Sequence, residues 1–297
     1  MPELAALLRS AVSRLADAGV ASPDADAIEL AGFTLGWDAG QVRTAAARGD
    51  SWPEDADLDR WEARVARRAD REPLQHITGR AYFRGLELEV GPGVFVPRPE
   101  TETVAQAAID AVIAARPGRD GVVRVTDLCA GSGAIGLSIA TEVDYAQVSL
   151  VEASDEATVY LRLNARALPE SVRTRVRTIL GDARNCLRQF DTCADVVVSN
   201  PPYIPPGAVP QDREVADFDP PHALYGLGDD GLKIPRAIIH ESARLLRVGG
   251  VLVMEHADTQ GKALRDYANS LEWFDDAHTL QDLTGRDRML VATRVGV

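Results

Sequence analysis

The sequence predicts an α/β protein: a mostly parallel, seven-stranded sheet preceded by a small helical domain and a β-hairpin linker. Two observations carry this prediction. From residue 122 onward, strand-like apolar runs alternate with helical patterns, which is typical of a parallel sheet covered on both faces. The first 72 residues instead place apolar side chains at helical spacing. At 297 residues the chain is long enough for two domains of about 150 residues each.

The N-terminal domain, residues 1–72, is predicted to consist of helices. Apolar residues recur at helical spacing over 4–15, a second pattern follows Ser22-Pro23, and a third helix covers 57–70. A run of arginines on this third helix indicates a solvated helix face, with contact to an acidic partner or RNA as the alternative. These arginines are Arg60, Arg64, Arg67, Arg68 and Arg71.

Residues 73–97 are predicted to form the β-hairpin linker. Leu86, Leu88 and Val90 alternate with polar residues, and nearby glycines punctuate the pattern. The prolines that follow fix the entry into a helix at the start of the third segment, residues 98–297.

The sheet is predicted to lie in residues 98–297. Seven strands are expected, at Val122–Leu128, Ala146–Glu152, Val176–Leu180, Ala194–Ser199, Val251–Glu255, Asp276–Leu280 and Arg288–Arg294. The helices between them are expected at Ala134–Thr141, Asp155–Ala167, Leu232–Leu246 and Gln260–Ser270.

Charge and cysteine content limit the class of protein. Lys and Arg number 32 against 45 Asp and Glu, and this net charge of −13 argues against a nucleic-acid partner. Cys129, Cys186 and Cys193 lack metal-ligand spacing and are expected to be reduced, as in a cytosolic protein. Glu3 and Arg9 interrupt the pattern that a signal peptide needs, and no apolar stretch approaches the roughly 20 residues of a membrane span. We therefore expect a cytoplasmic protein with no membrane partner.

A glycine-rich segment follows the strand Val122–Leu128 and opens the next helix. It reads Asp127-Leu-Cys-Ala-Gly131-Ser-Gly133. The glycines let the backbone turn tightly and approach a nucleotide-like ligand, with helix N–H groups facing it. Asp127 suits a ligand that carries an ammonium group, such as the methionyl end of S-adenosylmethionine. An ordinary strand-to-helix turn is the alternative.

Two acidic residues mark the ends of the next two strands: Glu152 ends the first of them, and Asp182 follows the second. Glu152 can accept hydrogen bonds from both hydroxyls of a ribose, as in other nucleotide-binding sheets; a helix N-terminal acid is the alternative. Asp182 lies where an adenine amino group would be held, and an ordinary turn aspartate is the alternative.

The segment Ser199-Asn200-Pro201-Pro202-Tyr203 follows the strand that begins at Ala194. It therefore lies at the carboxyl edge of the sheet, where open α/β folds bind ligands. The side-chain oxygen of Asn200 and the carbonyl of Pro201 can accept the two hydrogens of a planar NH₂ group. They would stabilise the positive charge that grows on its nitrogen during methylation. Tyr203 can pack on the planar group and exclude water. A proline-rich turn without a role in catalysis is the alternative.

With these motifs the chain resembles the release factor glutamine methyltransferases, the PrmC or HemK family. The similarity covers nearly the whole chain. Its motifs are Pro-Leu-Gln-His-Ile-Thr-Gly at 73–79, Phe-Val-Pro-Arg-Pro-Glu-Thr-Glu at 95–102, the glycine loop, Asn-Pro-Pro-Tyr-Ile-Pro at 200–205 and Phe-Asp-Pro-Pro-His-Ala-Leu at 218–224.

This resemblance implies a Rossmann-like class I domain that uses S-adenosyl-L-methionine. It implies methylation of the glutamine side chain in the Gly-Gly-Gln motif of class I peptide-chain release factors, which the helical domain would grip. By position, the donor-binding residues would be Cys129, Ala130, Gly131, Ser132, Gly133, Glu152, Ala183 and Asn200, besides Asp127 and Asp182. The substrate-binding residues would be Asn200, Pro201, Pro202 and Tyr203, with Asn200, Pro201 and Tyr203 catalytic. Cys129 stands where the family often has glycine.

Two other functions remain open on the sequence alone. An N6-adenine methyltransferase of DNA or RNA presents the same planar amine, although the negative charge argues against it. A non-catalytic module that binds a translation factor is the other. The scattered histidines predict no metal site, and we expect a monomer.

Overall fold

The computed structural model describes residues 1–188 and 191–296. The chain forms two compact units, Met1–Arg80 with Pro210–Phe218, and Ala81–Val209 with Asp219–Val297. The segment Pro210–Phe218 therefore belongs to the first unit, although it lies between the two parts of the second unit in the sequence. The domain limits at residues 72 and 97 stay predictions.

Helices and strands follow the predicted order. The helices are α1 (Leu4–Asp17), α2 (Pro23–Leu35), α3 (Ala39–Arg48), α4 (Leu58–Ala69), α5 (Leu74–Thr78), α6 (Thr101–Ala114), α7 (Ala134–Glu142), α8 (Asp155–Ala167), α9 (Glu170–Arg173), α10 (Arg213–Phe218), α11 (Pro221–Leu224), α12 (Lys233–Leu245) and α13 (Gly261–Ser270). The strands are β1 (Arg80–Phe83), β2 (Leu86–Glu89), β3 (Val123–Leu128), β4 (Ala146–Glu152), β5 (Val176–Leu180), β6 (Ala194–Ser199), β7 (Leu246–Glu255), β8 (Phe274–Gln281) and β9 (Asp287–Arg294).

The first unit packs α1 to α5 around an apolar core. Trp52 and Trp61 are its largest buried side chains, and their ring centroids lie 5.7 Å apart. Helix α3 was not predicted, yet its N-terminal signal stands in the sequence. Asp38 accepts from the Gln41 N–H at 2.8 Å, and the Gln41 side chain accepts from the Asp38 N–H at 2.9 Å. This is a capping box, which satisfies two backbone donors that a helix start leaves free.

The five arginines of residues 60–71 do not all form a solvated face, so that prediction is wrong for Arg68, on α4, and for Arg71, just after it. Arg68 is buried and donates to Asp26 at 2.7 Å and to Glu214 at 2.8 Å. Arg71 donates from Nε to the same Glu214 at 2.8 Å. Burial opposes ionisation, but the hydrogen bonds from Arg71 and Arg68 lower the pKa of Glu214 to about 2. These ion pairs hold α10 in the first unit.

The predicted hairpin is shorter than residues 73–97. Its first part is helix α5, which ends at Gly79 with φ +74°, and only β1 and β2 pair as a two-stranded sheet. The two strands are joined by Arg84 (φ +49°) and Gly85 (φ +85°), as in the tight turns that match the twist of a hairpin.

The second unit contains the predicted seven-stranded sheet, in the order β5-β4-β3-β6-β7-β9-β8. Strands β3 to β7 pair in parallel, and only β9 runs antiparallel to its neighbours. The predicted fold class is confirmed. Strand β7 starts at Leu246 rather than Val251, because Leu246 already pairs with Ala194 on β6.

The core of the second unit lies on both faces of this sheet. Every residue of β6 is buried, and so are five of the six residues of β3. Because parallel strands end at the same edge, the segments after β3, β4, β6 and β7 meet there. Among the described helices, none is both long and apolar enough to cross a membrane.

Candidate functional site

The glycine loop turns through three left-handed residues after β3. Cys129 has φ +64°, Gly131 +57° and Gly133 +90°, conformations that glycine adopts without the steric cost that a Cβ brings. The Ala130 N–H donates to the carbonyl of Val151 on β4 at 2.9 Å. The loop therefore closes over the end of the sheet before α7 begins.

Two buried carboxylates hold this loop in place. Asp127 accepts from the Gly136 N–H at 2.9 Å, and its other oxygen has no partner among the described residues. Burial raises the pKa of Asp127 to about 7. Glu152 accepts from the N–H groups of Gly131 and Ser154, each at 2.8 Å. Glu152 thus fixes the backbone of the glycine loop at Gly131, and Asp127 fixes the first turn of α7, which follows the loop.

Asn164 on α8 also braces the loop, and sequence reasoning missed it. Its side chain donates to the carbonyl of Ser132 at 2.9 Å. It also exchanges hydrogen bonds with the backbone of Glu89 on β2, at 2.7 and 3.0 Å. An isolated asparagine in a helix gives no sequence signal for this contact, which depends on the hairpin packing against α8.

The segment after β5 holds two further residues of the predicted donor site. Ala183 is buried. Asp182 is half-buried and accepts from the backbone N–H of Arg184 at 2.9 Å and from its guanidinium, whose hydrogen bond lowers the pKa of Asp182. Its carboxylate thus has an intramolecular partner, and its contact with an adenine amino group stays a prediction.

Ser199 joins the ends of β6 and β3, because its hydroxyl donates to the carbonyl of Leu128 at 2.6 Å. The next residue, Asn200, is half-buried, and no described residue bonds to its side-chain amide. Pro201 is buried, and its carbonyl accepts no hydrogen bond within the described part of the chain. Both acceptors predicted to bind an NH₂ group are therefore without a partner among residues 1–188 and 191–296, and they lie beside the glycine loop.

The backbone after these acceptors is held by the segment 224–231. Tyr203 and Ile204 both donate their N–H to the carbonyl of Leu224, at 3.1 and 2.8 Å. Gly226 and Gly231 lie against the loop so closely that a Cβ at Gly226 would come 2.7 Å from the Pro202 carbonyl oxygen, and one at Gly231 would come 2.5 Å from the Tyr203 oxygen. Both positions require glycine for steric reasons.

Tyr203 is also contacted by Glu255, the last residue of β7, and by Gln260, which precedes α13. Neither residue was predicted from the sequence as part of the site. Gln260 donates to the Tyr203 carbonyl at 2.8 Å. The Tyr203 hydroxyl donates to Glu255 at 3.4 Å. Burial, followed by the nearby Glu255 charge, raises the pKa of Tyr203. The phenol therefore stays neutral at physiological pH.

Arg98 from the motif at 95–102 and Asp219 from the motif at 218–224 meet in the second unit. Arg98 forms an ion pair with Asp219, whose side chain is fully buried. The Arg98 guanidinium also lies 4.9 Å from the centre of the Phe95 ring. The pair fixes the start of the segment that supplies Leu224, although neither residue was predicted as a site residue.

The donor side of this site fits S-adenosyl-L-methionine. A Cβ at Gly131 would meet no atom within 4 Å, so the space above the loop is open. The unpartnered oxygen of Asp127 is buried beneath the loop, and Glu152 lies at its side. Among residues 1–188 and 191–296, no cluster of three or more His, Cys, Asp or Glu side chains could hold a metal ion.

Comparison with known proteins gives two family matches, which together cover residues 6–213. A family described as "PrmC N-terminal domain" matches residues 6–79, and one described as "Conserved hypothetical protein 95" matches residues 76–213.

Relatives match over nearly the full length. A protein of Bifidobacterium longum named release factor glutamine methyltransferase is 44% identical over 96% of this chain and 98% of its own. One of the same name from Streptomyces coelicolor is 46% identical over 98% of both. Among solved structures, a Thermus thermophilus 16S rRNA N2 G1207 methyltransferase in complex with AdoMet and guanosine aligns with a TM-score of 0.46, at 22% identity, over 72% of this chain and 49% of its own.

Proposed function

The chain belongs to the release factor glutamine methyltransferases, and we propose that it methylates the side-chain amide nitrogen (N5) of the glutamine in the Gly-Gly-Gln motif of class I peptide-chain release factors. The observation that carries this proposal is identity of 44% and 46%, over nearly the whole chain, to relatives of that name. The methyl donor would be S-adenosyl-L-methionine.

The donor would bind at the glycine loop. Asp127, Cys129 to Gly133 and Glu152 would surround it, with Asp182 and Ala183 at the adenine end. S-adenosyl-L-methionine supplies, when bound, an electrophilic methyl group on a sulfonium. The residues of the loop would orient that group toward Asn200, since Ser199 ties the end of β6 to the end of β3.

The acceptor amide would bind at Asn200 and Pro201. An amide nitrogen is a poor nucleophile because its lone pair is delocalised into the carbonyl. The Asn200 oxygen and the Pro201 carbonyl would each accept one N–H hydrogen and so stabilise the positive charge that develops on nitrogen. Pro202 and Tyr203 would pack on the planar amide and exclude water. As the N–C bond forms, the S–C bond of the donor would break, leaving the neutral thioether. The nitrogen becomes acidic only at that point and would release its proton to solvent as the products leave, so the motif needs no general base.

The helical domain would bind the release factor beside its Gly-Gly-Gln loop. We further propose that the enzyme is a cytoplasmic monomer that uses no metal. The net charge of −13 supports a protein substrate over nucleic acid.

A methyl-transfer assay read by mass spectrometry tests this function. We expect one methyl group on the Gly-Gly-Gln glutamine of an unmodified class I release factor, and none when that glutamine is replaced. Asn200→Ala should reduce the rate by about 10²–10³-fold, as loss of a transition-state hydrogen bond does. Donor affinity, measured by calorimetry, should change much less.

Two results would contradict the proposal. Methyl transfer to adenine in DNA or RNA, without transfer to the release factor, would establish the nucleic-acid alternative. Binding of the release factor by a chain that does not bind S-adenosyl-L-methionine would indicate a non-catalytic module.

A further inference from the structure

The turn after β7 contacts residues 200–205, here called the acceptor loop, through Gln260. The proposed mechanism gives this residue no role. Gln260 stands at the start of α13, is 7% exposed and makes hydrogen bonds to three chain segments. Its Nε2 donates to the Tyr203 carbonyl at 2.8 Å and to the Asp230 carbonyl at 3.4 Å. Its Oε1 accepts from the Ala257 N–H at 3.1 Å.

These bonds tie the acceptor loop to the sheet. The Ala257 bond fixes the Gln260 side chain in its own turn, directly after β7. The amide group of Gln260 is then aimed at the backbone between Tyr203 and Ile204. A buried side chain whose donor and acceptor atoms are both satisfied adopts one orientation, because each alternative leaves buried polar groups unpaired.

Glu255 reaches the other end of the same tyrosine. It is the last residue of β7 and is 3% exposed, and its Oε1 lies 3.4 Å from the Tyr203 hydroxyl. The distance is at the outer limit of a hydrogen bond, as is common in sites whose contacts shorten when substrate binds.

We propose that Gln260 and Glu255 are positioning residues of the methyl-transfer reaction. They hold the carbonyl and the phenol of Tyr203, and thereby fix the tyrosine ring and the preceding Asn200-Pro201 acceptors relative to the sheet. The proposal deepens the proposed function and rests on it for the identity of the substrate. Neither residue touches the substrate, and each acts through Tyr203.

Hydrogen exchange of the motif tests the Gln260 contact without any substrate. Pro201, Pro202 and Pro205 have no N–H, so a peptide spanning 200–205 reports almost entirely on Tyr203 and Ile204. In Gln260→Met we expect these amides to exchange about tenfold faster, because their bonds to the Leu224 carbonyl open more often. Gln260→Glu is the second variant, for use if Gln260→Met fails to fold. It keeps the oxygen that accepts from the Ala257 N–H and loses the N–H donor to the Tyr203 carbonyl, so exchange of Tyr203 and Ile204 should again be faster.

Kinetics on the release factor test the consequence. Gln260→Met should lower kcat by about 10²-fold, the cost of misplacing reacting groups by about 1 Å, with donor affinity nearly unchanged. Gln281→Met is the matched control, since Gln281 donates to Asp287 at 3.2 Å on an exposed part of the sheet. It should alter neither exchange at the motif nor kcat.

A double-mutant cycle tests the Glu255 contact. Glu255→Leu should lower kcat in the wild-type background. Glu255→Gln keeps an oxygen that can accept from the Tyr203 hydroxyl, so it should retain most of the wild-type kcat. In a Tyr203→Phe background Glu255→Leu should have no further effect, because the phenol is already gone.

The outcomes separate this inference from the proposed function. Unchanged exchange in both Gln260 variants, or changed exchange with wild-type kcat, would overturn the positioning role. If wild-type enzyme methylates no release factor, the proposed function fails, and the exchange experiment alone still decides whether Gln260 holds the motif.

Discussion

The loop after β3 and the loop after β6 lie side by side at the edge of one sheet, yet their conformations are fixed in different ways. The glycine loop contains three left-handed residues and is closed by carboxylates and amides of the adjoining β4–α8 segment. The loop 200–205 contains no left-handed residue and three prolines. Its bonds come from Leu224, Glu255 and Gln260.

The difference follows from what each loop does. A donor site needs backbone N–H groups close to a ligand, which glycine provides. The acceptor loop instead needs oxygen atoms that are free to accept hydrogen bonds and fixed in position. Its three prolines have no N–H group, and residues distant in the chain hold the backbone and side chain of Tyr203. The glycine loop should therefore respond to changes in backbone freedom, and the acceptor loop to changes in its neighbours.

Gly226→Ala should give the largest effect. Its Cβ would come 1.8 Å from the Gly231 carbonyl oxygen and 2.7 Å from that of Pro202. We expect a loss of about 3 kcal/mol or more in the free energy of unfolding, since the backbone must shift to admit a methyl group. Methyl transfer should fall by about 10²-fold. Denaturant unfolding and the transfer assay measure the two effects. Gly36→Ala, at φ +68° with nothing within 4 Å, is the control and should leave transfer unchanged.

Two buried carboxyl groups of the site, Asp127 and Glu255, should make stability depend on pH. Burial raises the pKa of Asp127 and of Glu255 to about 7. A carboxyl in the unfolded chain titrates near 4, so the native state binds more protons between those values. Their contribution is fully present below about pH 4 and is lost as pH rises through about 7, by at most about 1.4 kcal/mol per pH unit and group.

Denaturant unfolding between pH 5 and 8 checks this dependence. Asp127→Asn and Glu255→Gln should each make the free energy of unfolding fall less steeply with pH. Asp127 lies at the glycine loop and Glu255 at the acceptor loop, so the two variants test both loops. Asp120→Asn is the control, because the hydrogen bond from Arg124 lowers the pKa of this exposed carboxyl. An unchanged slope in both buried variants would show that these groups ionise normally.

Gly131→Ala should separate donor binding from stability. Its φ of +57° costs a side chain about 1 kcal/mol, and no atom lies within 4 Å of the new methyl group. The methyl would occupy the open space proposed for the donor, so we expect the donor Kd to rise about tenfold. Calorimetry measures the Kd. A stability loss as large as that of Gly226→Ala would contradict the contrast between the loops.

Cys129→Gly should have the smallest effect. Cys129 adopts φ +64°, and relief of that strain by about 1 kcal/mol is offset by the greater freedom of glycine in the unfolded chain. Unfolding free energy and donor Kd should both stay near the wild-type values. Cys129→Val, whose branched side chain fits this conformation poorly, should lose about 1–2 kcal/mol. Equal stability of all three proteins would show that the turn is not strained.

Most of the sheet could be predicted because its signals are local. Strands β4, β5 and β6 have the predicted bounds, since short runs rich in β-branched residues between helices and turns leave few alternatives. Helix α5 was read as part of the hairpin, because five residues are too few to show a helical period. Helix α10 follows the proline-rich loop and is held by Glu214, a contact that no local pattern reveals.

The sequence by itself determined the fold class, the two loops at the sheet edge and the residue types that suit a methyl donor and a planar amine. These depend on periodicity and on the backbone properties of glycine and proline, which act over a few residues. Only the tertiary structure decided that Gln260 and Glu255 meet Tyr203, and that Arg68 is buried between Asp26 and Glu214. Such contacts join residues far apart in the chain, and they form only when distant segments pack together.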